Sequence, residues 1–241
     1  MARKTKQEAQ ETRHSILDAA ERLFQLHGVS STSLQQIAQE AQVTRGAIYW
    51  HFKDKAELFD AMMQRATMPL EQGMSLDAAP TQALTLGELR WGLVNVFHCA
   101  MHDERTRRVF QIAMQKVEYS GELQGLQARK MKAHRAWREQ NKAAFERAIA
   151  EGRLPRGLDS HGAAIALTSM VDGLLHQWVN DPESFDLQAV GESVVDNFLT
   201  SLARATGPAL LPPLSADERH RFGQTGACAR AAPSQNHEPG R

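Results

Sequence analysis

Three signals for helix starts follow one another within residues 33–57, and they restrict the possible fold more than any other feature of the chain. They are a capping box at Ser33 and Gln36, an N-cap at Thr44, and a second capping box at Asp54 and Glu57. Apolar residues recur at helical spacing after each signal. We therefore predict two short helices joined by a tight turn, with a third helix that begins at Lys55.

The second short helix is predicted at residues 45–51. Its spacing turns Ala47, Ile48 and Phe52 inward. The outward residues are Arg45, Gly46, Tyr49, Trp50 and His51. Such a helix is about 10 Å long and fits a major groove about 12 Å wide. The alternative is a helical hairpin of some other bundle, in which Tyr49 and Trp50 are ordinary semi-buried aromatics.

From Arg13 to about Phe59 the sequence resembles the DNA-binding region of the tetracycline-repressor (TetR) family. The resemblance is carried by residues 44–52, Thr-Arg-Gly-Ala-Ile-Tyr-Trp-His-Phe, and by the Lys-Asp-Lys that follows them. Residues 1–9 resemble the branch that represses tripartite (RND-type) multidrug efflux pumps. The resemblance implies a helix-turn-helix DNA-binding unit.

The resemblance also implies roles for single residues. Arg45 would contact a base edge, with guanine as its natural partner. Gly46 would let the backbone approach DNA closely, and Trp50 would pack against a sugar or a thymine methyl group. Ala47 completes the DNA-facing set. The residues that would contact phosphates and set the register are Ser33, Thr44, Tyr49, His51 and Lys55. A cationic residue at a helix N-terminus suits a phosphate, because the free amides and the charge point the same way.

Charge does not by itself direct this chain to nucleic acid. Lys and Arg number 28, as do Asp and Glu, so the formal net charge is zero. Positive potential toward DNA must therefore come from the placement of single residues. They are Arg3, Lys4, Lys6, Arg45, Lys53 and Lys55. We expect a moderate dependence of DNA affinity on salt.

Periodicity predicts an all-α chain. With the resemblance it implies three parts: an N-terminal arm and helix-turn-helix DNA-binding domain at 1–54, a six-helix ligand-binding and dimerisation domain at 55–206, and a disordered tail at 207–241, which is indicated by its composition. Besides the two short helices, helices are expected at about 8–27, 55–74, 85–102, 105–120, 122–151, 160–180 and 187–205. The helix at 55–74 leaves the head and enters the next domain, which makes it a natural lever. The last two helices are rich in small and apolar residues, and the resemblance implies a homodimer through them. Alternatively, their apolar stripes face only their own core.

Methionines are concentrated outside the head, since eight of the nine lie between residues 62 and 170. Methionine packs adaptably and suits surfaces that accept varied shapes. Together with aromatic residues it could line an apolar cavity, and the resemblance implies a ligand pocket in that part. The candidates are Met63, Thr67, Phe97, Met101, Phe110, Met114, Met131, Met170, Leu174 and Trp178. Plain core packing is the alternative for each of them.

Other classes of function find little support in the sequence. It has no Gly-x-Ser-x-Gly motif and no phosphate-binding glycine loop, so we expect neither an enzyme nor a cofactor. His98 and His102 are four residues apart but have no evident third ligand, so we expect no metal. No apolar run approaches the roughly 18 residues of a membrane span, and two cysteines fit a reducing cytoplasm.

The resemblance, together with these patterns, implies a homodimeric repressor that binds double-stranded operator DNA, controls a multidrug efflux operon and is released by a hydrophobic or cationic small molecule. One alternative is a regulator of lipid, signal or degradation genes. Another is a helical small-molecule-binding protein without DNA binding.

Overall fold

The computed structural model describes residues 6–74, 83–118, 123–204 and 215–216, and for 67–74 it describes the helix but not the side chains. Within these residues there are nine α-helices and no strand, which confirms the predicted all-α class. The helices are α1 (Lys6–His27), α2 (Leu34–Glu40), α3 (Arg45–His51), α4 (Lys55–Met74), α5 (Leu86–His102), α6 (Glu104–Gln115), α7 (Gln124–Ala150), α8 (Ser160–Asn180) and α9 (Leu187–Ala203). None of these helices is long and apolar enough to cross a membrane. Residues 1–5 of the predicted arm, and the predicted tail apart from 215–216, lie outside the described residues.

Polar side chains start the short helices where the sequence predicts. Ser33 Oγ accepts a hydrogen bond from Gln36 N at 3.2 Å, and Gln36 Oε1 accepts one from Ser33 N at 2.8 Å. This reciprocal pair satisfies two amides that a helix N-terminus leaves without partners. At the C-terminal end of α1, Gly28 has a φ of +81°, so it ends that helix as predicted.

Two predicted details are wrong. Asp159, rather than Ser160, is the N-cap of α8, and its carboxylate accepts a hydrogen bond from Gly162 N at 3.0 Å. Ser160 is already the first helical residue, one position too late to reach that amide. In addition, α6 ends at Gln115 instead of continuing to about residue 120.

The buried apolar side chains form two cores. The head core joins α1, α2 and α3 to the first three turns of α4. It also contains Val109 and Ile112 of α6, together with Leu123 and Leu126 at the start of α7. The body core contains side chains from α5, α7, α8 and α9, with Phe110 of α6. Core packing therefore continues across residue 54, and α6 contributes to both cores.

Two carboxylates of α1 bind arginines from α4 and α6. The Glu21 side chain is only 2% exposed and pairs with Arg65 of α4. Arg65 Nη1 also lies 2.8 Å from Asp18 Oδ1. From α6, a nitrogen of Arg105 and one of Arg108 each lie 3.9 Å from Glu21 Oε2. Because a buried carboxylate is unfavourable without such partners, this network fixes α1 against both α4 and α6.

Further polar contacts join the end of α1 to the segment after α6. Val29 N donates a hydrogen bond to Lys116 O at 2.9 Å. Arg129 of α7 pairs with Asp60 of α4, and this bond raises the pKa of Arg129 above its ordinary value. The head is thus attached to the remainder of the chain at several points besides α4.

We predict that Glu21→Gln lowers the free energy of unfolding by about 3 kcal/mol, because Arg65 and Arg108 lose a buried counter-charge. Chemical denaturation measures the change. The matched control is Glu104→Gln: the Glu104 side chain is 73% exposed and pairs with Arg108 on the surface. This control should change stability by less than about 0.5 kcal/mol. Equal effects of the two substitutions would contradict the structural role of Glu21.

Candidate DNA interface and effector site

Helix α3 is anchored on its inner face and at both ends. Ile48 and Phe52 are buried in the head core. Thr44 Oγ1 accepts a hydrogen bond from Ala47 N at 3.2 Å, which caps the first turn. Before it, Gln42 has a φ of +56°, a left-handed conformation that is uncommon for residues other than glycine. This residue reverses the chain between α2 and α3, so the outer face of α3 has a fixed orientation.

The outer face of α3 presents a guanidinium and two aromatic rings. Trp50 is 73% exposed and Tyr49 is 48% exposed. Arg45 Nη2 donates a hydrogen bond to Tyr49 Oη at 3.1 Å, and its guanidinium carbon lies 5.5 Å from the centre of the Tyr49 ring. A guanidinium has five N–H donors, so others are left for an external acceptor. The face therefore offers hydrogen-bond donors and apolar groups, which are the two kinds of group that can contact base edges in a major groove.

Two shallow clefts flank α3. The first is lined by Ser33, Leu34, Gln35, Arg45, Tyr49 and Lys55. The second is lined by Ala9, Thr12, Gln42, Val43, Thr44, Ala47, Trp50 and His51. Gln35, Ala9 and Thr12 line these clefts, but they are missing from the residues predicted to face DNA. The outward position of Gln35, two residues after the Ser33 cap, was the available signal for it. Ala9 and Thr12 of α1 come to line the second cleft only through tertiary packing.

The structure revises the expected role of Lys55. Its side chain points inward, and Nζ donates hydrogen bonds to Thr32 O at 2.9 Å and Ser30 O at 3.2 Å. The residue is only 4% exposed. The reason is that backbone carbonyls before α2 lie within reach of the ammonium. In this conformation the ammonium supports the start of α2, and the amides at the N-terminus of α4 are the groups that could meet a phosphate.

Six of the ten predicted effector residues come together at one core. Phe97, Phe110 and Trp178 are buried in the body core. Met101, Met114 and Leu174 are partly buried against it. The indole Nε1 of Trp178 is buried without a hydrogen-bond partner. These residues bring flexible thioethers and aromatic rings to the junction of α5, α6 and α8.

The structure does not bring Met63, Met131 and Met170 to that place. Met63 packs against the head core, and Met131 is 48% exposed on α7. Met170 is half-buried on α8 and is not among the side chains packed against the body core. The side chain of Thr67 lies outside the described residues. Helical spacing identifies an inward face, but it does not show which core that face meets.

Neither the histidine pair nor the cysteine of α5 forms an evident reactive site. The His98 and His102 ring centres lie 4.5 Å apart. Across the described part of the chain, no group of three or more His, Cys, Asp or Glu side chains is placed to bind a metal ion. Burial raises the pKa of the Cys99 thiol, which disfavours the reactive thiolate.

Comparison with known proteins identifies the family. Residues 16–62 match the bacterial regulatory proteins of the tetR family. Residues 85–204 match the C-terminal region of the MAATS-type transcriptional repressors. The chain belongs to the TetR family, whose members are DNA-binding transcription regulators that dimerise and bind small-molecule effectors.

Individual relatives cover most of the chain. The HTH-type transcriptional regulator TtgR of Pseudomonas putida is 38% identical over 202 residues, which are 84% of this chain and 96% of TtgR. NalD of Pseudomonas aeruginosa, the secondary repressor of the MexAB-OprM multidrug efflux pump, has a similar structure with a TM-score of 0.72 and 36% identity, covering 83% of this chain and 99% of NalD. SmeT, the repressor of the Stenotrophomonas maltophilia efflux pump SmeDEF, in complex with triclosan also gives a TM-score of 0.72, at 32% identity, covering 85% of this chain and 99% of SmeT.

We predict that Lys55→Met destabilises the protein by about 2 kcal/mol, because two backbone carbonyls lose a charged donor. Lys53→Met is the control, since Lys53 is exposed, and it should change stability by less than about 0.5 kcal/mol. Thermal unfolding of both variants beside the unmodified protein measures the difference. If Lys55→Met unfolds at the same temperature as the unmodified protein, the ammonium does not support α2.

Proposed function

We propose that this protein is a cytoplasmic repressor of a multidrug efflux operon. The observation that carries the proposal is α3, which is anchored by Ile48 and Phe52 and exposes Arg45, Tyr49 and Trp50 on one face. NalD and SmeT, which share this fold, are repressors of such pumps. Binding of the repressor to its operator would then block transcription until an effector releases it.

The proposed DNA contacts follow from the geometry of α3. Two copies insert this helix into successive major grooves, about 34–36 Å apart, on a near-palindromic site. Arg45 reads a guanine edge, and Gly46 with Ala47 lets the backbone come close. Trp50 packs on a sugar or a thymine methyl group. The phosphates are bound by Ser33, Thr44, Tyr49, His51 and the N-terminus of α4, with Gln35 added from the cleft beside Arg45.

The dimer is proposed to form through α8 and α9. Residues at helical spacing on their outer faces are small or apolar, and all are exposed or half-buried. On α8 they are Gly162, Ile165, Ala166, Ser169, Met170 and Gly173; on α9 they are Val190, Ser193, Val194 and Ser201, while Phe198 packs against the body core. Ile165 is 38% exposed and Val190 is 37% exposed. Two such helices from each copy pack as a four-helix bundle, which buries both stripes.

The effector is proposed to be a hydrophobic or cationic small molecule that enters the body core. Phe110 and Met114 of α6 face this core, while Val109 and Ile112 of the same helix lie in the head core. A ligand that repacks the first pair therefore moves the second, and with it the head. The ligand must prefer the conformation that does not bind DNA, and a coupling free energy of about 1–3 kcal/mol is sufficient.

Arg45→Ala should weaken binding to the upstream DNA of the gene at least about thirtyfold, because each of two half-sites loses a contact of about 1–3 kcal/mol. The dimer should stay folded, since Arg45 is exposed. Arg135→Ala, which removes an exposed arginine of α7, is the matched control and should keep its affinity. Fluorescence anisotropy with labelled DNA and excess unlabelled bulk DNA measures both. Unchanged operator affinity of Arg45→Ala would contradict the proposed interface.

The same anisotropy measurement, repeated with a panel of hydrophobic drugs that includes triclosan, tests the efflux assignment. We expect several unrelated compounds to release the operator at saturating concentration, by about 5–150-fold in affinity. Specific binding that no compound relieves would keep the repressor and reject the efflux assignment. Absence of specific binding would reject the repressor itself.

A further inference from the structure

A polar pair lies inside the seam between α7 and α8. Asn141 of α7 has no exposed surface, and Thr168 of α8 is 4% exposed. Asn141 Nδ2 donates a hydrogen bond to Thr168 Oγ1 at 3.3 Å. Neighbouring side chains on both helices are apolar and buried, among them Phe145 and Leu167. The pair is thus a polar spot among apolar side chains of the body core, which also contains the unpartnered indole Nε1 of Trp178.

The threonine determines which way the asparagine amide faces. Thr168 Oγ1 donates its one proton to Ala164 O at 2.8 Å, in the preceding turn of α8. Its oxygen can therefore only accept from Asn141, so Asn141 must present its NH₂ group to Thr168. Asn141 Oδ1 is left buried without a hydrogen-bond partner. A buried carbonyl without a donor is unfavourable, so a molecule that brings one to this atom gains affinity.

The body core has partly buried side chains that can move to admit such a molecule. Trp137, one turn before Asn141, is only partly buried against the body core, as are Met101 and Met114. Residues 127–133 of the same helix are exposed. Partly buried thioethers can change conformation with little loss of packing. Trp137 therefore lies between the exposed stretch of α7 and the body core.

The charges near the seam disfavour a cationic ligand. Among residues whose burial the structure describes, the one buried carboxylate is Glu21 in the head, where arginines surround it. Residues 124–138 of α7 contain five Lys or Arg and no Asp or Glu. A cation would thus meet no buried counter-charge in the described body core, because the carboxylate at the seam, Asp172 of α8, is 40% exposed and lies 3.3 Å from His134 Nδ1.

We propose that the effector is an uncharged apolar molecule with one hydroxyl or N–H group, and that Asn141 Oδ1 accepts the hydrogen bond from that group. The inference rests on the proposed effector response and narrows its ligand class. Asn141 is then a specificity-determining residue of the effector site, and Thr168 is the positioning residue that orients its amide.

The test is calorimetric titration of the full-length protein with β-naphthol and with its methyl ether, which has the same ring system but no donor. The unmodified protein should bind β-naphthol at least about fivefold more tightly than the ether. In Asn141→Leu the two affinities should become equal. Asn95→Leu, the same change at a half-buried position on α5, should keep the preference.

Equal affinities in the unmodified protein would overturn the proposal, because a water molecule would then satisfy Asn141. A preference that persists in Asn141→Leu would also overturn it. If that variant fails to fold, the ratio measured on the unmodified protein still decides. N-methylquinolinium, a planar cation of similar size, should bind more weakly than β-naphthol, and tighter binding would overturn the uncharged class.

The two proposals fail in different ways. If neither naphthalene compound binds while triclosan still releases the operator, the role of Asn141 is wrong and the effector-released repressor stands. If no compound of the panel binds or releases the operator, the effector response itself is wrong, and the role of Asn141 falls with it.

Discussion

The position of the head depends on one nearly unexposed carboxylate. Glu21 lies in α1, and its partners come from α4 and α6, far along the chain. A charge removed from water costs several kcal/mol unless partners surround it, so these three helices cannot separate without exposing it. The network thereby links the apolar contacts that α1 makes with α4 and with α6 into one connected unit. It also explains why Arg105 and Arg108, which would suit a solvated helix, face the head.

Helix α6 connects the head core to the body core. Val109 and Ile112 belong to the head core, while Phe110 belongs to the body core. A helix is a stiff element, so a shift imposed on one face is passed to the other. The coupling that a repressor needs is about 1–3 kcal/mol, which is similar to or smaller than the cost of breaking a buried ion pair. An effector can therefore bias the position of α6 while the Glu21 network stays formed.

Most helix limits follow from local signals and were predictable, the exceptions being the N-cap of α8 and the end of α6. Caps such as Ser33 and Thr44 act within three residues, and helical spacing shows that Arg45, Tyr49 and Trp50 point outward. Features that join distant parts of the chain were not predictable from spacing. From the sequence, Lys55 was predicted to bind a phosphate. The carbonyls of Ser30 and Thr32, which accept its hydrogen bonds instead, approach it only in the folded head. Met63 has the inward spacing of a pocket residue, yet tertiary packing assigns it to the head core. The open acceptor of Asn141 depends on a hydroxyl 27 residues away.

The inward ammonium of Lys55 has a consequence for how this protein can be switched. It ties the first turn of α4 to the chain just before α2, and α2 leads through a tight turn into α3. When α4 moves, α2 and α3 must travel with it as a rigid block. In the proposed dimer the outer face of α3 would then keep its shape with and without effector, and only the spacing of the two copies would change. An effector would in that case alter how tightly the proposed repressor holds DNA without altering which sequence it prefers.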